Sequence, residues 1–220
     1  MNPGYTGTVT GDVKLKIYYD RNRYTVTVEH YYMDTAGNYP DKPSVAEDLT
    51  PYYGETLVHK NLAREIKGLS FNENKTIQEN GNRTQTEVKG NTTVRLYYDR
   101  TVCTVTYDYR TNGGTSADKE TVKTYYGADA DLSVAAYKNG WEHAGWNTKS
   151  DSETGLTRYT VTGNVTLYAV YRKDITVTFV DFAQTYKREG SMYNNDTYAL
   201  SMRHSAVPMA DGKMCRMLRQ

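Results

Sequence analysis

Cysteine is nearly absent from this chain of 220 residues: Cys103 and Cys215 stand far apart, with no Cys-x-x-Cys pair and no Cys/His cluster. Two cysteines are too few for a disulfide framework, and no cluster has the close ligand spacing of a structural zinc site. An excess of one charge is also lacking. Lys and Arg number 27 against 26 Asp and Glu, a formal net charge of +1, which gives no field to draw the chain onto nucleic acid or an anionic membrane. No apolar run reaches the roughly 18 residues of a membrane-spanning helix. Phe and Trp number only 3 and 2, so the aromatic content is almost wholly the 22 tyrosines, while threonine reaches 30. Tyr, Thr and Val favour pleated, half-buried strands, and their abundance excludes a disordered composition. The expectation is a soluble, β-rich chain that folds without staples.

What is present is repetition, the first thing to seek in such a chain. Gly11-Asp12-Val13-Lys14-Leu15-Lys16-Ile17-Tyr18-Tyr19-Asp20-Arg21 is followed by Tyr24-Thr25-Val26-Thr27-Val28. The pattern returns as Gly90-Asn91-Thr92-Thr93-Val94-Arg95-Leu96-Tyr97-Tyr98-Asp99-Arg100 before Cys103-Thr104-Val105-Thr106-Tyr107. A third copy runs Gly163-Asn164-Val165-Thr166-Leu167-Tyr168-Ala169-Val170-Tyr171-Arg172 before Ile175-Thr176-Val177-Thr178-Phe179. Tyr52-Tyr53-Gly54 and Tyr125-Tyr126-Gly127 mark the same place in two successive intervals. The chain therefore divides into residues 1–21, read as the C-terminal strands of a truncated preceding repeat, then 22–100, 101–173 and 174–220. The last begins a further, divergent or truncated repeat, expected to be poorly ordered after about residue 190, where five of the seven methionines fall. Met1 to Tyr5 has neither the basic nor the apolar stretch of a signal peptide, so signal and anchor are expected outside these residues.

Alternation specifies the strands. Tyr24, Val26, Val28 and His30 share one face and Thr25, Thr27 and Glu29 the other; Cys103, Val105, Tyr107 and Tyr109 repeat the first set. Cys103 thus reads as a small buried hydrophobe in a core column. Leu57, Val58, Leu62 and Ile66 have roughly helical spacing and stop at Gly68, and Asp131 to Ala136 reads as a further turn of helix. Hairpin turns are expected at Thr35 to Asn38, Asn80-Gly81-Asn82 and Asn112-Gly113-Gly114. Few strands, one small helix and a parallel pairing of first and last strands predict an α+β, mostly β chain of tandem, β-grasp-like (ubiquitin-like) modules.

At these residues a family resemblance emerges. Residues 101–173 resemble the internalin-type B-repeat, or Listeria–Bacteroides repeat, through Val105 to Asp108, Asn112-Gly113-Gly114, Tyr126-Gly127, Gly140-Trp141-Glu142-His143-Ala144-Gly145-Trp146 and Val161 to Ala169. The family's central motif is usually Gly-Tyr-x-Phe-x-Gly-Trp, from which Trp141 and His143 depart. Residues 22–100 resemble the mucin-binding-protein (MucBP) repeat, through the Val-Thr-Val strand, Asp34 to Asn38, Tyr53-Gly54-Glu55 and the Asn91 to Tyr98 finish. The resemblance implies a non-catalytic repeat region of a bacterial, mainly Gram-positive, cell-surface or secreted protein, acting as a stalk or adhesive module. Its implied partners are host glycoprotein, cell-wall polymer or a neighbouring surface protein, its implied location extracellular, and no cofactor follows from it.

Chemistry-bearing patterns are sparse. No histidine pair has metal-protease spacing; His30 and His143 fall on core or semi-core positions, and His59 and His204 in polar surroundings. Thr84 to Glu87 resembles the glutamine segment of thioester-forming surface domains, but its nearest thiol, Cys103, lies in the core column. Trp146 reads as a packing residue. Trp141 is the one candidate glycan or partner contact, on which a carbohydrate-binding alternative rests; another alternative is the accessory region of an exported enzyme.

Overall fold

The computed structural model describes residues 16–115, 120–180 and 185–194, with residues 8, 10–12 and 14 of the leading segment. Two compact units result. One gathers the described residues up to Thr104 with Lys123–Ala130 and Thr160–Asn164; the other gathers Val105–Val122, Asp131–Tyr159 and the described residues from Val165 onward. Among the described residues the chain is mostly β, as its composition predicts, with one short α-helix.

In the first unit, strands β1 (Val26–Tyr32), β2 (Val45–Leu49), β4 (Leu69–Phe71) and β6 (Thr92–Arg100) form a sheet in the order β2-β1-β6-β4. β1 and β6 pair in parallel over seven residues, from Val26 opposite Thr92 to Tyr32 opposite Tyr98. The alternation expected along β1 is realised: Val26, Val28 and His30 are wholly buried, and they meet Val94, Leu96 and Tyr98 of β6 in the core. Burying each such valine or leucine side chain contributes about 1.5–3 kcal/mol. Strands β3 (Thr56–Val58) and β5 (Gln85–Glu87) form a separate antiparallel pair.

The helix lies elsewhere than its apolar spacing suggests. Thr56–Val58 is strand, His59–Leu62 is a single 3-10 turn, and the α-helix, α1, is Glu73–Glu79. Leu57 from β3, Leu62 from the 3-10 turn, and Ala63 and Ile66 beyond it reach the core one at a time, which can mimic helical spacing. α1 starts instead at Asn72, whose side chain accepts from the Lys75 amide at 2.8 Å, and Asn80-Gly81-Asn82 ends the helix with two positive φ angles, where a hairpin was expected.

The second sheet has the order β11-β10-β7-β8, with β9 also on β10; its strands are β7 (Val102–Asp108), β8 (Glu120–Tyr125), β9 (Glu142–Asn147), β10 (Val165–Val180) and β11 (Thr185–Tyr193). β7 and β10 are parallel, Val105 facing Val165. By the internal repeat, Val105 stands for Val26 and Val165 for Thr92, so both sheets use one register. Each parallel pair also opens on an asparagine: Asn91 Oδ1 accepts from the Thr25 amide at 2.9 Å and Asn164 Oδ1 from the Thr104 amide at 2.8 Å. The expected helical turn at Asp131 to Ala136 does not form. Its carbonyls are taken by side chains, Asp131 O by the Tyr107 hydroxyl and Val134 O by the Trp146 indole, both at 2.7 Å, while Asp131 Oδ1 caps the Ser133 amide.

Residues 16–22, within the stretch read as strands of a preceding repeat, carry no regular structure. Of the segment expected to lose order after about 190, residues 191–194 complete β11 and a turn, and the remainder lies outside the described residues, as does His204.

Candidate functional site

Trp141 follows Gly140 in a tight turn in which the Trp141 amide donates to Lys138 O at 3.0 Å. That turn lays the Lys138 ammonium over the Trp141 ring, 3.9 Å from its centroid, an attractive placement of a cation on a π face. The same ammonium donates to the main-chain carbonyls of Asn112, at 2.9 Å, and Asn194. Both asparagines are nearly buried and held in turn: Asn112 Nδ2 donates to Ser150 O and Ala169 O, and Asn194 Nδ2 to Ser152 O. The result is a carbonyl-lined seat for one lysine, which covers one face of the half-buried candidate tryptophan.

Trp146 is wholly buried, edge-on to Tyr107 at 4.9 Å and to Tyr109 at 5.2 Å. Burial pushes Tyr109 and Tyr171 up, each to about 12, helped at Tyr109 by its hydrogen bond to Glu120. The Gly-Trp ending of the motif has a steric cause. A Cβ on Gly155 would lie 2.5 Å from Ala144 O and 2.9 Å from Gly145 Cα, and Gly145 itself has φ +119°, so two chain segments touch backbone to backbone just before Trp146. His143 also packs on Trp146 at 5.2 Å, and burial lowers its pKa.

The first unit holds a different polar cluster. The Tyr98 hydroxyl accepts from the Arg64 amide at 3.1 Å, leaving its own proton for His30 Nδ1 at 2.8 Å. His30 is thereby the Nε2–H tautomer, donating to Glu47 Oε1 at 3.1 Å. Glu47 also takes the Arg64 guanidinium. Burial lowers the His30 pKa against the opposing pull of Glu47, and the bond from His30, then Arg64, holds the Glu47 carboxyl below its ordinary value. The assembly resembles an acid-base relay in residue type, with the imidazole and the phenol wholly buried and the Glu47 and Arg64 side chains partly exposed. His59, expected in polar surroundings, is 1% exposed and its Nε2 meets Thr86 Oγ1 at 2.9 Å; that partner is too distant in sequence for local polarity to reveal.

Cys103 is 2% exposed, as its column position predicts. Gln85 lies on β5, whose partner is β3, and not on the sheet strand that carries Cys103. Among the described residues no group of three His, Cys, Asp or Glu side chains gathers to hold a metal ion, and no helix is long and apolar enough to cross a membrane. An open depression of about 650 Å³ that sequence reasoning missed is lined by Lys60, Arg64, Glu65 and Lys67 together with Ile66, Leu69 and Phe71.

Residues 104–170 match the family model described as Flg_new: Listeria-Bacteroides repeat domain (List_Bact_rpt). No curated protein matches the chain. The matched stretch begins in β7 and runs through the backbone contact of Gly145, buried Trp146 and the register-setting Asn164 into β10, so this part of the chain is similar to the Listeria–Bacteroides repeat, a domain found in surface proteins.

Proposed function

We propose that the chain is a non-catalytic repeat region of a bacterial cell-surface or secreted protein that bears load as a stalk and presents adhesive surface. The β-grasp-like module type, the MucBP-like reading of residues 22–100 and the extracellular location belong to the same proposal. The observation that carries it is the shared register of Val26 on Thr92 and Val105 on Val165. A module whose first and last strands lie side by side in parallel takes tension from its ends as shear, so its ladder bonds are loaded together. Unzipping would load them one at a time. Tyr98, Tyr107, Tyr171, Trp146, His30 and His59, which could otherwise serve a site, are buried in packing.

Single-molecule stretching between the chain ends tests the load-bearing role. Discrete, well-resolved unfolding of the parallel-paired modules is expected; extension without resistance would end it. Adhesion is tested separately. Lys60 and Lys67 are exposed beside the depression, so an anionic glycan or wall polymer should bind more weakly to Lys60→Glu/Lys67→Glu than to Trp141→Ala. The reverse order would favour the carbohydrate-binding reading, in which the free face of Trp141 stacks on a sugar.

A further inference from the structure

An asparagine amide is most open to attack by its own backbone when glycine follows, because glycine has no Cβ to crowd the attacking nitrogen. The chain has three such dipeptides: Asn80-Gly81, Asn112-Gly113 and Asn139-Gly140. Two are locked. Asn80 Nδ2 donates to Thr76 O and Arg95 O while its Oδ1 accepts from the Arg95 amide. Asn112 is 5% exposed, and its Nδ2 donates to Ser150 O and Ala169 O. Either amide must give up two hydrogen bonds before its Cγ can swing toward the following nitrogen.

Asn139-Gly140 is the exception. Both residues are exposed, and among the described residues the Asn139 side chain makes no hydrogen bond. Among the same residues, and apart from its chain neighbours, a Cβ built on Gly140 would meet only Lys173 Nζ, at 4.0 Å, so the space around the attacking nitrogen is open. The two residues are the central pair of the turn closed by the Trp141 amide on Lys138 O at 3.0 Å. That turn sets the Trp141 ring under the Lys138 ammonium.

We propose that Asn139 is a self-modification site whose conversion opens this turn and uncovers Trp141. The Gly140 main-chain nitrogen, having lost its proton to solvent, attacks Asn139 Cγ. The N–Cγ bond forms, the Cγ–Nδ2 bond breaks, and Nδ2 leaves as ammonia with a proton from water. A water molecule then opens the cyclic imide, its hydroxyl going to one of the two carbonyl carbons and its proton to the nitrogen. Opening at the side-chain carbonyl breaks the new N–Cγ bond and leaves an aspartate at 139. Opening at the main-chain carbonyl breaks the original peptide bond and leaves isoaspartate, with the backbone routed through Cβ and Cγ. The net change is loss of ammonia and gain of water. Isoaspartate adds a carbon to the main chain inside a four-residue turn, so the Trp141 amide no longer reaches Lys138 O. Lys138 stays where the carbonyls of Asn112 and Asn194 hold it, and the ring that the turn had set on it moves off the ammonium.

The test is ageing of the full chain at mildly alkaline pH, read by peptide mapping for the amide-to-acid mass change and by an isoaspartate-specific methyltransferase. In the folded chain Asn139 should convert at least about tenfold faster than Asn112 or Asn80, whose two hydrogen bonds must break first. In denaturant the three rates should converge. Acrylamide quenching of tryptophan emission follows the consequence: Trp146 is wholly buried, so quenching that grows with age reports Trp141. It should grow in step with isoaspartate in the wild-type chain and stay constant in aged Asn139→Gln. Freshly prepared Asn139→Asp, which carries the acid without the added main-chain carbon, should quench as the fresh wild type does. Conversion of Asn139 in the folded chain no faster than that of Asn112 and Asn80 overturns the proposal, and so does isoaspartate at 139 with unchanged quenching.

Discussion

Gly114 stands where a Cβ would come within 2.1 Å of the Tyr171 hydroxyl and 2.2 Å of Tyr109 O. The phenol can move but the main-chain carbonyl cannot without disturbing β7, so Gly114→Ala is expected to cost the second unit about 1–3 kcal/mol by overpacking. Denaturant unfolding checks this, and adding Tyr171→Phe should not restore the loss, because the Tyr109 carbonyl remains. At this scale the sequence is legible wherever neighbours decide the outcome: period-two alternation places Val26, Val28, His30 and Cys103 inside. It is not legible where burial depends on a residue far along the chain. His59 lies between Val58 and Lys60 yet is buried through Thr86, and the Lys138 seat over Trp141 needs Asn112 and Asn194, which only the folded second unit brings together.

Elements were readable where the repeat registers them and misread where polar side chains stand in for main chain. The parallel pairing of first and last strands follows from the copies at Tyr24, Cys103 and Ile175. α1 escaped because only Thr76 is buried in it, leaving no apolar stripe; the signal that could have found it is a cap, Asn72 before Glu73, with Gly81 beyond the end. The same helix shows an asparagine acting as a strand residue. Asn80 Oδ1 accepts from the Arg95 amide at 3.0 Å and Asn80 Nδ2 donates to Arg95 O at 2.7 Å, so one side chain extends the ladder along β6. Asn80→Ala should therefore cost about 1 kcal/mol, the site being solvent-exposed. Hydrogen exchange at the Arg95 amide should quicken while that of Val94 stays slow; unchanged protection of Arg95 would refute the role.

For the molecule as a whole, the tyrosines that dominate the aromatic content bear on stability at alkaline pH and the histidines on stability at acid pH. Burial is the leading cause of a raised pKa at Tyr31, Tyr39, Tyr97, Tyr98, Tyr107, Tyr109 and Tyr171. The folded chain keeps those protons when the unfolded chain releases them near pH 10, so their contribution is full below about 10 and is lost as pH rises toward their folded values. His30, His59 and His143 shift the other way, each lowered first by burial. Unfolded imidazoles take up protons near 6.5 while the folded ones resist, so that contribution is full above about 6.5 and fades as pH falls through the folded values. His30 resists for a visible reason: a proton on Nδ1 would confront the Tyr98 hydroxyl, already an acceptor from Arg64, and turn its O–H away from the only partner it has in the network. Equilibrium unfolding against pH should give a plateau between about 6.5 and 10 with falls on both sides, and the part of the tyrosinate absorbance that Tyr98→Phe and Tyr171→Phe remove should appear together with unfolding, not before it. Tyrosinate of Tyr98 or Tyr171 forming in the intact fold near pH 10 would show those rings to be open to solvent, and with it their assignment to packing would fail.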